Sequence, residues 1–131
     1  SMAVGILLIT HEGIGSTLLA VALRLMRNLP LACEAFDVPF DDDPDSLLPQ
    51  ASAAMRRVDS GSGVLVLTDL YGATPSNLAA RLARLGTPVR RVSALSLPML
   101  LRVMNYADLD LDDLPAVAAA GARNGAITDD A

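Results

Sequence analysis

The only histidine of the chain, His11, closes an apolar run from Val4 to Thr10 and is followed by Glu12-Gly13-Ile14-Gly15. A second apolar run, Val64 to Thr68, ends in the same way on Asp69 and continues as Leu70-Tyr71-Gly72-Ala73-Thr74-Pro75. An imidazole with an ordinary pKa near ~6.5 is largely neutral at cellular pH and can act as a nucleophile. A carboxylate bonded to one ring N–H fixes the tautomer and frees the other nitrogen's lone pair. It also stabilises the positive charge that develops on the ring during attack. Gly13, Gly15, Gly72, Ala73 and Thr74 bring small side chains, accessible backbone N–H groups and one hydroxyl, the parts needed to hold phosphoryl oxygens. Together they suit a transient phosphohistidine. From position alone, a histidine that merely caps a strand is an equal reading.

Several other chemistries fail on counting. A histidine phosphatase needs a second histidine and an arginine beside the first, and Thr10 precedes the single histidine here. A receiver domain could use Asp69 but needs an acidic pair after the first strand and a lysine after the last. Glu12 is one acid, and the chain has no lysine. Ser16 and Ser76 lie outside any Gly-x-Ser-x-Gly elbow, which removes the Ser-His-Asp hydrolase reading. One His and one Asp are too few for a metal site. Gly13-Ile14-Gly15-Ser16-Thr17-Leu18 lacks the third glycine of a dinucleotide fingerprint. No cofactor and no metal are expected.

The elements that must position His11 and Asp69 alternate between strand and helix. Ala3 to Thr10 reads as a first strand, apolar throughout as expected for a strand covered on both faces. Ser16 to Asn28 repeats apolar residues at helical period. Leu31 to Val38 carries Glu34 and Asp37 and reads as a strand nearer the sheet edge. Asp41-Asp42-Asp43 reads as a solvated turn, with Asp43 capping a helix that has Pro44 in its first position and ends at about Val58. Val64 to Thr68 is the third strand, and a helix capped by Thr74 runs to about Gly86. Val89 to Ser96 is the fourth strand, Pro98 opens a helix to Asn105, and a last helix spans Asp112 to Arg123. Such alternation predicts an α/β fold: an open, doubly wound sheet of four parallel strands covered by helices. In the order 2-1-3-4, strands one and three are neighbours. His11 and Asp69 then face each other at the carboxyl ends, where such sheets keep their ligand sites.

Composition narrows the partners. At 131 residues the chain is one domain by length, and 52% apolar with 3% aromatic residues predicts a core of Leu, Val, Ala and Met. A net charge of −5 argues against nucleic acid. Cys33, the single cysteine, reads as a small core residue in a reducing cytoplasm. No apolar stretch reaches the roughly 20 residues of a membrane span. Ser1 before Met2 reads as an expression remnant. The helical arginines, Arg24, Arg27, Arg81 and Arg84, read as solvated. Leu70, Tyr71, Leu97 and Met99 are better candidates for a docking surface around His11, because interfaces favour Tyr and Met over charge. Leu97 and Met99 could equally be core.

Three blocks, Ile6-Leu7-Leu8-Ile9-Thr10-His11 with Gly13, Leu67 to Pro75, and Leu97-Pro98-Met99-Leu100, resemble the enzyme IIA component of mannose-family bacterial phosphotransferase systems. The likeness runs in order along essentially the whole chain, and its Asp-x-x-Gly-x-[Ser/Thr]-Pro block is the specific part. It implies that His11 accepts a phosphoryl group from the histidine-containing phosphocarrier protein and passes it to a IIB component, and through that to a membrane permease. It implies Asp69 as the orienter of the ring, with Thr10, Gly13, Thr68, Gly72, Ala73 and Thr74 around the phosphoryl group. The implied docking residues are Leu70, Tyr71, Pro75, Leu97, Pro98 and Met99. A homodimer with an exchanged C-terminal antiparallel edge strand is implied as well. A regulatory phospho-switch without sugar transport is the other reading, and the phosphotransfer subunit of dihydroxyacetone kinases is a more distant one, its serine-rich histidine motif unlike Thr10-His11-Glu12-Gly13.

The chain departs from the family pattern at four places. Glu12 stands where glycine is frequent, and its carboxylate is expected to point to solvent. Tyr71-Gly72-Ala73-Thr74-Pro75 replaces a common Trp-Gly-Gly-Ser-Pro but keeps a hydroxyl. Ser96 stands where asparagine is common. The tail Ala126 to Ala131 is short and acidic, which weakens the case for an exchanged strand.

Overall fold

An apolar strand needs cover on both faces, and a computed structural model describing residues 3–129 gives it that cover. Ser1, read above as a remnant, lies outside these residues. β1 (Gly5–His11) is buried from Gly5 to Thr10 and only His11 reaches part exposure. β2 (Cys33–Val38) pairs with one edge of β1 and β3 (Val64–Thr68) with the other, while β4 (Val89–Val92) lies beyond β3. All three pairings are parallel and the order is 2-1-3-4, as the alternation predicts.

Successive side chains along a strand point to opposite faces, so β1 and β3 feed two separate cores. Ile6, Leu8, Leu65 and Leu67 pack with helices α1 (Ile14–Met26), α4 (Leu97–Met104) and α5 (Leu114–Gly125), meeting Ala22, Val103 and Ala118 among others. Leu7, Ile9, Val64 and Val66 pack on the other face with α2 (Pro44–Val58) and α3 (Thr74–Leu82), through Met55 and Leu78. Helix α2 comes very close to β1. A Cβ on Gly5 would lie 2.2 Å from the carbonyl oxygen of Val58, so only glycine lets the last turn of α2 seat there. Asp43 caps α2 as expected, its carboxylate accepting from the Asp45 N–H at 3.1 Å with Pro44 in the first turn. Among the described residues no helix is long and apolar enough to cross a membrane.

Element ends differ from the sequence expectation where local hydrogen bonds win. β4 stops at Val92 rather than Ser96, because Ala94 turns the chain through a positive φ of 65°. Leu95 N–H then donates to the Thr68 carbonyl at 2.9 Å, and the Ser96 hydroxyl accepts from Met99 N–H at 3.2 Å, capping α4. Asparagine would cap a helix equally well, so the departure at Ser96 is mild in physical terms. Ala73, not Thr74, is the N-cap of α3, and the helix ends at Leu82 rather than near Gly86. The chain over 126–129 carries no regular structure and is exposed. Asp130 and Ala131 lie outside the described residues, so the exchanged strand concerns a segment only partly described.

Candidate functional site

His11 and Asp69 meet at the carboxyl ends of the two central strands. The His11 Nδ1 lies 2.7 Å from Asp69 Oδ2, and the His11 backbone N–H donates to the same oxygen at 3.0 Å. One carboxylate oxygen thus holds both the ring and the peptide behind it, which leaves the imidazole little rotational freedom. With Nδ1–H donating, Nε2 keeps its lone pair and has no hydrogen-bond partner among the described residues. The other Asp69 oxygen, Oδ1, is buried without a partner. An uncompensated carboxylate oxygen is costly to bury, and groups of that kind concentrate where charge is used. The His11 ring is partly exposed and lies against Phe40, ring centroids 5.3 Å apart and tilted by 31°.

The glycine-bearing turn after His11 is occupied from within. Gly13 caps α1 with a φ of 90°, a left-handed conformation suited to glycine. Its N–H donates to Asp37 Oδ2 at 2.9 Å, and Ser16 gives its N–H to Oδ1 at 3.2 Å and its hydroxyl to Oδ2 at 2.6 Å. Asp37, on β2 opposite Thr10 in the parallel register, therefore fills the N-terminus of α1 with the protein's own anion. Gly13 N–H is not available to a phosphoryl group in this arrangement. Thr10 is also spent internally: fully buried, its hydroxyl donates to the His11 carbonyl and accepts from Gly15 N–H, both at 2.8 Å. It braces the turn from below. The start of α3 is different, since Ala73 makes no side-chain cap and the first turn presents its N–H groups without a side-chain acceptor. Gly72, Ala73 and Thr74 sit there, with Gly72 at a φ of 84° and exposed. Among the described residues no group of three or more potential metal ligands occurs.

A family model described as "PTS system fructose IIA component" matches residues 5–120. The chain belongs to this mannose-type IIA family. The IIA chain is 32% identical over 113 residues to the "Transcriptional regulatory protein LevR" of Bacillus subtilis, a match over 82% of this chain and 12% of the regulator. It is 27% identical over 126 residues to the "PTS system mannose-specific EIIAB component" of Escherichia coli, covering 95% of this chain and 39% of that protein. The chain thus spans well under half the length of both curated relatives. In structure it resembles the "Mannose/sorbose specific IIA subunit of phosphotransferase system from Enterococcus faecalis", with a TM-score of 0.87, 22% identity and coverage of 99% and 97% of the two chains. At that identity the likeness carries the fold alone.

The docking residues implied for a IIA component divide on exposure. Leu70 is exposed and Tyr71 is 80% exposed, both on the loop beside Asp69. Pro98 is exposed at the start of α4 and Leu97 is half-buried. Met99 is fully buried in the core with α5, and Pro75 is buried at the head of α3, so neither offers a docking surface. Thr68 is buried too, on the side of β3 that faces α3. Glu12 is exposed, as expected. Sequence reasoning missed Asp37 and Phe40. Asp37 carried a signal, a carboxylate just before the end of β2. Phe40 carried another, an aromatic residue following that strand at the end of the sheet where His11 lies. Cys33, half-buried on β2, has its thiol pushed up to about 12 by burial and by neighbouring Glu34, which keeps it protonated and unreactive.

Proposed function

We propose that the chain acts as a single phosphocarrier domain, accepting a phosphoryl group on His11 Nε2 from the phosphohistidine of a histidine-containing phosphocarrier protein and passing it to a IIB component. The 2.7 Å Nδ1···Oδ2 contact supports this reading, because a carboxylate at that distance favours the proton on Nδ1 and leaves the nucleophilic lone pair on Nε2. In the forward step the donor's N–P bond breaks as a bond from phosphorus to Nε2 forms. The imidazole gains positive character, and the Asp69 carboxylate stabilises it. The first turn of α3, with Thr74, is the seat for the phosphoryl oxygens, since Asp37 already fills the first turn of α1. Phe40, Leu70 and Tyr71 form the exposed apolar rim on which both protein partners dock. The working assembly is a homodimer, with the tail beyond Gly125 exchanged between copies, and the working compartment is the cytoplasm.

A phosphotransfer assay with purified phosphocarrier protein, enzyme I and labelled phosphoenolpyruvate tests the reading. Wild-type protein should take up acid-labile label and His11→Ala none; label on the variant's nitrogen would overturn the assignment. The 32% identity to a transcriptional regulator favours a second reading, in which the phosphorylation state of His11 controls docking to a regulated target rather than sugar uptake. Adding the IIB component separates the two, since only a transport carrier discharges its label to it.

A further inference from the structure

The two helices on the α2–α3 face leave the fourth strand partly uncovered there, and a cavity of about 540 Å³ opens between α3 and β4. Neither His11 nor Asp69 lines it. Thr68 and Ser76 do, and each is more than nine-tenths buried, at 3% and 6% exposure. The Thr68 and Ser76 side chains line the cavity rather than a sealed core, and the one buried side-chain oxygen without a partner among the described residues is Asp69 Oδ1. Arg91 stands at the mouth on β4, opposite Val66 in the register, with no ion-pair partner among the described residues. Its neighbour Arg90 is not equivalent, being bound to Asp112 at 2.6 Å. Ala79, Ala83 and Val89 add apolar lining. The volume falls within the range of small-molecule sites.

We propose that this cavity is a second ligand site, for a small organic oxyanion of a few carbons. The Arg91 guanidinium pairs with the oxyanion in its forked geometry, the Thr68 and Ser76 hydroxyls donate to it or to a ligand hydroxyl, and the apolar lining accepts a short carbon skeleton. Phosphate monoesters and hydroxycarboxylates share that chemistry. The site adjoins the transfer centre through the chain itself, since Thr68 lines the cavity and the next residue, Asp69, holds His11. The site does not depend on the phosphocarrier reading.

Titration of the full chain with glycerol phosphate, with lactate and with inorganic phosphate, followed by amide NMR shifts, tests the proposal. The expected result is saturable shifts at Thr68, Ser76 and Arg91 with at least one organic oxyanion, which also tells phosphate esters from carboxylates. Arg91→Gln, at an exposed position, should weaken that binding by roughly tenfold or more, and Ser76→Ala should weaken it further while the far-UV spectrum stays unchanged. Shifts confined to Thr74 and His11 and indifferent to Arg91→Gln would mean that the oxyanion binds only at the transfer centre. That result, or no saturable shift at millimolar concentrations, overturns the proposal. Loss of His11 labelling in the transfer assay bears on the other reading alone.

Discussion

At the scale of single residues, the proposed transfer gives Asp69 two tasks that one substitution can separate. Its Oδ2 holds the His11 ring and the His11 peptide together, while the charge of the carboxylate favours the imidazolium. Asp69→Asn keeps the shape and removes the charge. We expect the fold to survive and transfer to slow by roughly 100-fold, the scale of losing one electrostatic stabiliser at a reacting group. Nitrogen shifts of the ring should move toward a mixed tautomer, a change that loss of packing would not produce. An unchanged transfer rate with an unchanged tautomer would remove Asp69 from the chemistry. His11 and Asp69 were legible because each ends an apolar run, and topology makes those runs neighbours. Asp37 was not, because its acceptor role exists only once parallel register sets it beside Thr10 and the start of α1.

At the scale of elements, what was legible follows burial. Strands covered on both faces are apolar without interruption, so β1 and β3 are recognisable at once. Ser93 to Ser96 reads as a continuation of β4 in sequence, but the positive φ of Ala94 turns the chain away after Val92. From sequence Met99 reads equally as a docking or a core residue, because apolar side chains near a loop end are alike. The helical period of α4 then sends it inward against α5. Contacts between elements were less legible still. Nothing in the residues around Gly5 announces that the last turn of α2 lies on it. Gly5→Ala should force the Val58 carbonyl away from a Cβ only 2.2 Å from it, at a cost of about 3 kcal/mol. Urea unfolding measures it, and a midpoint equal to wild type would show that α2 can slide freely along β1.

At the scale of the whole molecule, the sheet divides the interior. Ile6 and Ile9 are close on the same strand yet belong to different cores, one with α1, α4 and α5 and the other with α2 and α3. Ile6→Val and Ile9→Val should each cost about 1 kcal/mol, and the double variant should cost their sum to within about 0.5 kcal/mol. Coupling above about 1 kcal/mol would mean that packing strain crosses the sheet. A partition of this kind has a practical side. If the two costs add, changes in the layer of α1, α4 and α5 away from the His11 turn should leave the packing of the opposite layer as it is. The molecule offers one wall to rebuild and one to leave standing.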